Sequence, residues 1–96
     1  MNFSSNTIEH SAIAHAKDLL VFHVGEDTIA DGKLKWSVDE PAKEVGSVPS
    51  IDGTKMYKVF EVWGHVYKGR YRMRLAYDVA DKGDFVLMGE EILEDA

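Results

Sequence analysis

Residues 70–79 alternate strictly between two kinds of side chain, and this pattern constrains the fold more than any other feature. One set is apolar or aromatic and comprises Tyr71, Met73, Leu75, Tyr77 and Val79. The other set is mostly charged and comprises Arg70, Arg72, Arg74, Ala76 and Asp78. Because successive side chains of a strand point to opposite faces, a period of two predicts a strand with one buried face. Such a strand is typical of an antiparallel sheet.

Residues 55–67 predict a neighbouring strand, which Lys68-Gly69 joins to the first by a turn. Its length favours a bend or bulge near Gly64. Both of its faces are apolar enough to bury: Met56, Phe60, Val62 and Val66 on one, and Tyr57, Val59, Trp63 and Tyr67 on the other. One face is expected to pack on a helix. The other then needs a cover, which could be a loop, a small ligand or a second copy of the chain.

A helix is predicted from Ile8 to Leu20, after a capping segment at residues 5–7. Its apolar stripe has helical spacing and comprises Ile8, Ala12, Ala16, Leu19 and Leu20. The small alanines predict a close approach to the sheet. Residues 19–24 are rich in β-branched and aromatic side chains, so we expect the helix to end near Asp18 and a strand to follow.

Turn residues divide the rest of the chain. Asp31-Gly32 predicts a hairpin over residues 28–38, with Trp36 and Val38 on one face. Residues 39–50 contain two prolines and a glycine and predict a loop, either a mobile flap or an arm that contacts a partner.

The third strand of the meander is predicted from Phe85 to Met88, extending as far as Leu93. A turn at Asp52-Gly53 precedes the first of the three strands, and a turn at residues 81–84 precedes the last.

These elements predict a single α+β domain over residues 1–96. An N-terminal helix packs on a strongly bent antiparallel sheet of about five to six strands. A small β-barrel with the helix as a plug is the alternative.

Composition narrows the function classes. The chain has 45% hydrophobic and 29% charged residues, as folded soluble proteins do, and no cysteine, which excludes disulfides and thiolate chemistry. Its start lacks the basic and apolar segments of a signal peptide, and no apolar run approaches the ~20 residues of a membrane span. We therefore expect a soluble cytoplasmic protein that does not enter membranes.

Charge is divided unevenly along the chain. Residues 54–74 carry six basic residues and one acid, a net charge of +5, whereas the whole chain carries −6. Arg70, Arg72 and Arg74 share one face of a strand, beside aromatic residues, as on sheets that bind nucleic acid. The alternative is a solvated face, neutralised by Glu61, the acidic C-terminal residues or a second subunit. The net charge would repel a polyanion at long range.

Signals for catalysis are weak. No nucleophile or phosphate-binding motif is present, and His10 and His15 do not share a helix face. We expect no metal and no cofactor, and a protein that is not an enzyme. A small pocket enzyme is the alternative, in which His65, Glu61 and Asp78 are the first candidate acids and bases.

The sequence thus favours a small binding protein that forms a homodimer and can enclose a small, anionic ligand. Tyrosine, tryptophan and arginine are enriched at interfaces, and two-fold dimers are the commonest assemblies. In this hypothesis the aromatic residues supply apolar contact and the arginines pair with an anion. The residues predicted to bind a ligand or partner are Tyr57, Trp63, His65, Tyr67, Arg70, Tyr71, Arg72 and Arg74. Nucleic-acid binding on the arginine face is the second hypothesis.

Overall fold

A computed structural model of the chain describes residues 4–25, 36–66 and 69–95, with side chains from residue 8 onward. It contains one helix and five strands: α1 (Ser4–Val24), β1 (Trp36–Val38), β2 (Lys43–Pro49), β3 (Met56–Val66), β4 (Gly69–Val79) and β5 (Phe85–Glu94). The sheet is antiparallel in the order β1-β3-β4-β5, and β2 pairs with β3 beyond the end of β1. The sheet does not close into a barrel, so the predicted α+β fold is confirmed and the barrel alternative is wrong.

Helix α1 covers one face of the sheet and forms the core with it. The predicted stripe is confirmed, since Ile8, Ala12, Ala16 and Leu20 are buried and Leu19 is half-buried. The sheet contributes the apolar sets that the alternation predicted: Phe60, Val62 and Val66 from β3, and Tyr71, Met73, Leu75 and Tyr77 from β4. The shortest dimension is 19 Å, which accommodates one sheet and one helix layer at ~10 Å each.

The helix is longer than the sequence predicted. Residues 19–24 continue α1 to Val24, so the predicted end near Asp18 and the strand after it are wrong. The burial of side chains in this segment is that of a helix with one face on the sheet: Leu20 is buried, whereas Phe22, two residues later, is 87% exposed. Packing of Leu20 on the sheet outweighs the weak strand propensity of this segment. No described helix is both long and apolar enough to cross a membrane.

The predicted loop at residues 39–50 contains strand β2, so this prediction is also wrong. All seven residues of β2 are exposed, and its pairing with β3 shifts register between Glu44 and Gly46. Gly46 has a φ of +149°, and Pro49 ends the strand. Glycine and proline are tolerated on an edge strand at a bulge or an end.

Strand β3 keeps its register at Gly64, where a bulge was predicted. The glycine instead allows close packing, because a Cβ there would lie 2.8 Å from Met73 Cε and 3.0 Å from Leu20 Cδ2. A shift of register lies instead between Ala76 and Tyr77 of β4, opposite β5.

The predicted turns at Asp52-Gly53 and residues 81–84 are confirmed. Gly53 and Gly83 have positive φ values of 75° and 92°. Ala80 N donates to Asp84 O, and Gly83 N donates to Ala80 O. The predicted hairpin turn at Asp31-Gly32 and the turn residue Lys68 lie outside the described residues.

Candidate functional site: the open face of the sheet

The face of the sheet opposite α1, called here the open face, has no cover among the described elements. Its side chains follow from the pairing register, because residues directly opposite each other in antiparallel strands share a face. The positions on this face are Ser37 of β1, Lys43 and Val48 of β2, Tyr57, Val59, Glu61, Trp63 and His65 of β3, Arg70, Arg72, Arg74, Ala76 and Asp78 of β4, and Val86, Gly89, Glu91 and Leu93 of β5.

A row of alternating charges crosses the centre of the open face. Lys43, Glu61, Arg74 and Glu91 are neighbours in register on β2, β3, β4 and β5. Glu61 is the best buried of the ion-paired carboxylates described, with a side chain 14% exposed. It accepts hydrogen bonds from Arg74 Nε at 3.1 Å and Trp63 Nε1 at 3.0 Å. Glu61 therefore neutralises Arg74 and fixes the indole ring.

Arg70 lies at the start of β4, away from this row, and two side-chain contacts hold it. Its Nη2 donates to Asp95 Oδ2 at 2.8 Å, and its guanidinium carbon lies 4.8 Å from the centroid of the Trp63 ring. The backbone also joins the start of β4 to the end of β5, since Asp95 N donates to Arg70 O at 2.7 Å. A cation over an indole face is the favourable geometry for a cation–π interaction.

Arg72 differs from its two arginine neighbours. It lies between Trp63 and Leu93 in register, yet its side chain forms no ion pair or hydrogen bond with any described residue. Its Nε atom is buried without a hydrogen-bond partner. A buried polar atom without a partner costs free energy, and the cost is larger when the group is charged.

Apolar surface lies next to these charges. Val59 is buried at the floor of a shallow depression of about 250 Å³ that Val48, Arg74, Ala76, Gly89, Glu90 and Glu91 also line. Val48, Val86 and Leu93 on the same face are 42%, 60% and 46% exposed. The open face therefore combines exposed aliphatic side chains with paired and unpaired charges.

The structure brings most of the predicted binding residues together. Six of the eight lie on the open face: Tyr57, Trp63, His65, Arg70, Arg72 and Arg74. Tyr71 lies on the opposite face, where its ring packs edge-on against His23 and its hydroxyl donates to Glu94 at 3.3 Å. Burial, and secondarily the Glu94 carboxylate, raise the pKa of Tyr71. Tyr67 lies outside the described residues.

Sequence reasoning did not select Val59, Glu91 or Leu93 as binding residues. The alternation of β3 already placed Val59 on the same face as Trp63. Glu91 and Leu93 come after the register shift between β4 and β5 at Ala76 and Tyr77. The face of the sheet on which they lie depends on this irregularity, which the residue types do not predict.

The candidate acids and bases of an enzyme each have a partner. His65 Nε2 lies 3.1 Å from Asp39 Oδ2, and Lys55 Nζ donates to Asp78 Oδ2 at 3.1 Å. His65 and Asp78 are separated by about 26 Å along the strands, at ~3.3 Å per residue. No site therefore contains both groups.

Acidic groups border the second depression of the open face. It has a volume of about 300 Å³ and is lined by Asp39, Glu40, Pro41, Lys43, Glu61 and Trp63. Within residues 4–25, 36–66 and 69–95, no three histidine, aspartate or glutamate side chains form a group that could hold a metal ion.

Fold and site together define a two-layer α+β protein with an uncovered sheet face of mixed charge. Comparisons of the chain with protein-family models, curated proteins and solved structures find no match.

Proposed function

We propose that the chain is a non-enzymatic binding protein that forms a homodimer through the open face of its sheet. The observation that carries this proposal is the exposure of Leu93, Val86 and Val48 on a face that no described element covers. Two sheets that pack face to face lie ~10 Å apart and bury such side chains between them.

The size of the open face fits this role. Four strands spaced by ~4.8 Å and about nine residues of ~3.3 Å each give a face of roughly 600 Å². A standard interface buries about 800 Å² on each partner, and accessible area exceeds the flat projection of a surface with side chains. One open face therefore supplies about the area that a stable dimer needs.

The charges of the open face favour a second copy over a polyanion. Arg70 and Arg74 already have the carboxylates of Asp95 and Glu61 as partners. A face that carries both signs of charge can pair with a second copy of itself, whereas nucleic acid presents only negative charge. A small anion is disfavoured as well, because Glu90 and Glu91 line one depression and Asp39, Glu40 and Glu61 line the other.

The test is the mass in solution, measured by light scattering and sedimentation over a range of concentrations. We expect the unmodified chain to be a dimer and Leu93→Glu to be a monomer, because the substitution places a charge where dimerisation would bury an apolar side chain. Ile51→Glu is the matched control, since Ile51 is fully exposed in the turn between β2 and β3. This variant should remain a dimer.

A monomeric wild-type chain at every concentration would overturn the proposal. Titration with duplex DNA at low and high salt examines the second hypothesis in the same preparation. Binding that weakens steeply with salt and is lost in Arg72→Gln would replace self-association by nucleic-acid binding as the function of this face.

A further inference from the structure

We infer that Arg72 of each copy pairs with Glu91 of the other copy across the two-fold axis of the dimer. This inference rests on the proposed function and names the contact that selects the partner. It starts from two charges of the open face, Arg72 and Glu91, that form no ion pair with any described residue.

The first unmatched charge is the guanidinium of Arg72. Its neighbours Arg70 and Arg74 on the same strand are bound by Asp95 and Glu61, whereas Arg72 has no carboxylate within ion-pair distance among the described residues. Its Nε atom is already buried in one protomer. Covering the face without providing an anion would desolvate this charge further, at a cost that dimerisation must avoid.

The second unmatched charge is the carboxylate of Glu91. In register it lies opposite Arg74, which would be its natural cross-strand partner. Arg74 instead donates from Nε to Glu61 on the other side. Glu91 is exposed and forms no ion pair with any residue that the structure describes.

The positions of the two charges suit a two-fold axis. Arg72 and Glu91 are diagonal neighbours on β4 and β5, because Arg72 pairs with Leu93 and Arg74 pairs with Glu91. A two-fold axis that lies between the two sheets and runs perpendicular to the line from Arg72 to Glu91 places Arg72 over Glu91 of the second copy, and Glu91 over its Arg72. The same rotation brings the Leu93 side chains of the two copies together. Each dimer then contains two identical ion pairs, as isologous interfaces require.

Charge reversal tests the pairing. Arg72→Glu places two carboxylates together at each contact, and Glu91→Arg places two guanidinium groups together. We expect each variant alone to dissociate at least about 30-fold more readily than the wild type, because an unpaired charge remains at the interface. An equimolar mixture should form a heterodimer, since one chain then carries two acids and the other carries two arginines at the contacts.

Lys82→Glu and Asp81→Arg are the matched controls, because they make the same charge changes in the exposed turn between β4 and β5. Both should remain homodimers. Arg72→Met is a further variant, which should weaken the dimer because it leaves Glu91 of each copy without a cation. Far-UV circular dichroism of each chain establishes that a monomeric variant is folded.

Failure of this inference is distinguishable from failure of the proposed function. If the wild type is a dimer, Leu93→Glu is a monomer and both charge-reversed variants remain dimers, the open face is the interface but the Arg72–Glu91 pairing is wrong. If the wild type is a monomer, both proposals are wrong. Heterodimer formation only from the mixed variants supports both.

Discussion

At the residue scale, Gly64 fixes how closely α1 can approach the sheet. The space that a side chain would occupy at this position is filled by the ends of Met73 and Leu20, both of which are fully buried. A glycine in the interior of a strand weakens the strand by itself, so its presence here requires a compensating contact. The compensation is the packing of Leu20 directly against the backbone of β3.

We predict that Gly64→Ala destabilises the fold by about 1–3 kcal/mol, because the added methyl group forces buried side chains to shift. Gly89→Ala is the matched control: its Cβ would meet nothing within 4 Å, so we expect it to be neutral or slightly stabilising. Urea unfolding in the Leu93→Glu background measures both effects without a contribution from dimer dissociation. Equal stability of the two alanine variants would contradict this interpretation of Gly64.

Part of the site is predictable at this scale. The period of two alone placed Trp63 on one face of β3 and three arginines on one face of β4. The sequence does not predict that Arg72 forms no ion pair. Whether it does depends on which carboxylate, Glu61 or Glu91, pairs with Arg74. That choice depends on side-chain geometry between three strands, which a single sequence does not specify.

At the element scale, the turn between β2 and β3 is organised by one carboxylate. Asp52 Oδ1 accepts hydrogen bonds from Ser50 Oγ at 2.7 Å, Thr54 Oγ1 at 2.8 Å and Thr54 N at 3.0 Å. Led by the Thr54 backbone N–H, these bonds lower the pKa of Asp52 from 3.8 to about 2. They stabilise the charged form, and with it the folded turn.

We predict that Asp52→Ala lowers the melting temperature at neutral pH. Because the folded pKa is below the unfolded value, the charged carboxylate stabilises the fold fully above pH ~4, and the stabilisation is lost as the pH falls toward 2. The difference in melting temperature between wild type and variant should therefore shrink over this interval. Asp84→Ala is the control, because no described hydrogen bond involves its carboxylate. A difference that does not change between pH 5 and 2 would contradict the assigned role of Asp52.

Elements with a strong local pattern were predictable, and elements that depend on distant contacts were not. Strand β4 was evident from its alternation. The last turn of α1 was missed because its strand-forming residues are helical only while Leu20 packs on the sheet. Strand β2 was missed because its pattern is polar and broken by Gly46 and Pro49, and its order comes from hydrogen bonding to the edge of β3.

At the scale of the whole molecule, the described residues form one helix on one sheet, and they leave one face of that sheet uncovered. The α+β class followed from the order of elements along the chain. The sequence did not predict that a second covering layer is absent among the described residues. Both faces of β3 are apolar enough to be buried, so a cover on either face was plausible.

We predict that the melting temperature of the wild type rises with protein concentration, because association stabilises only the folded chain. The melting temperature of Leu93→Glu should be independent of concentration. Differential scanning calorimetry over a hundredfold range of concentration measures both. A wild-type melting temperature that stays constant over this range would show that folding and association are not linked.

The outer edge of β5 limits how far assembly can proceed. The structure describes no strand beyond it, yet this margin carries Glu90, Glu91 and Glu94 without a basic residue, and Met88 stands opposite no residue of β4. If the β5 edges of two molecules paired, like charges and an irregular backbone would lie against each other. Such features commonly prevent edge-to-edge aggregation of sheets. Particles that meet through their broad surfaces would therefore not extend into fibrils through this margin.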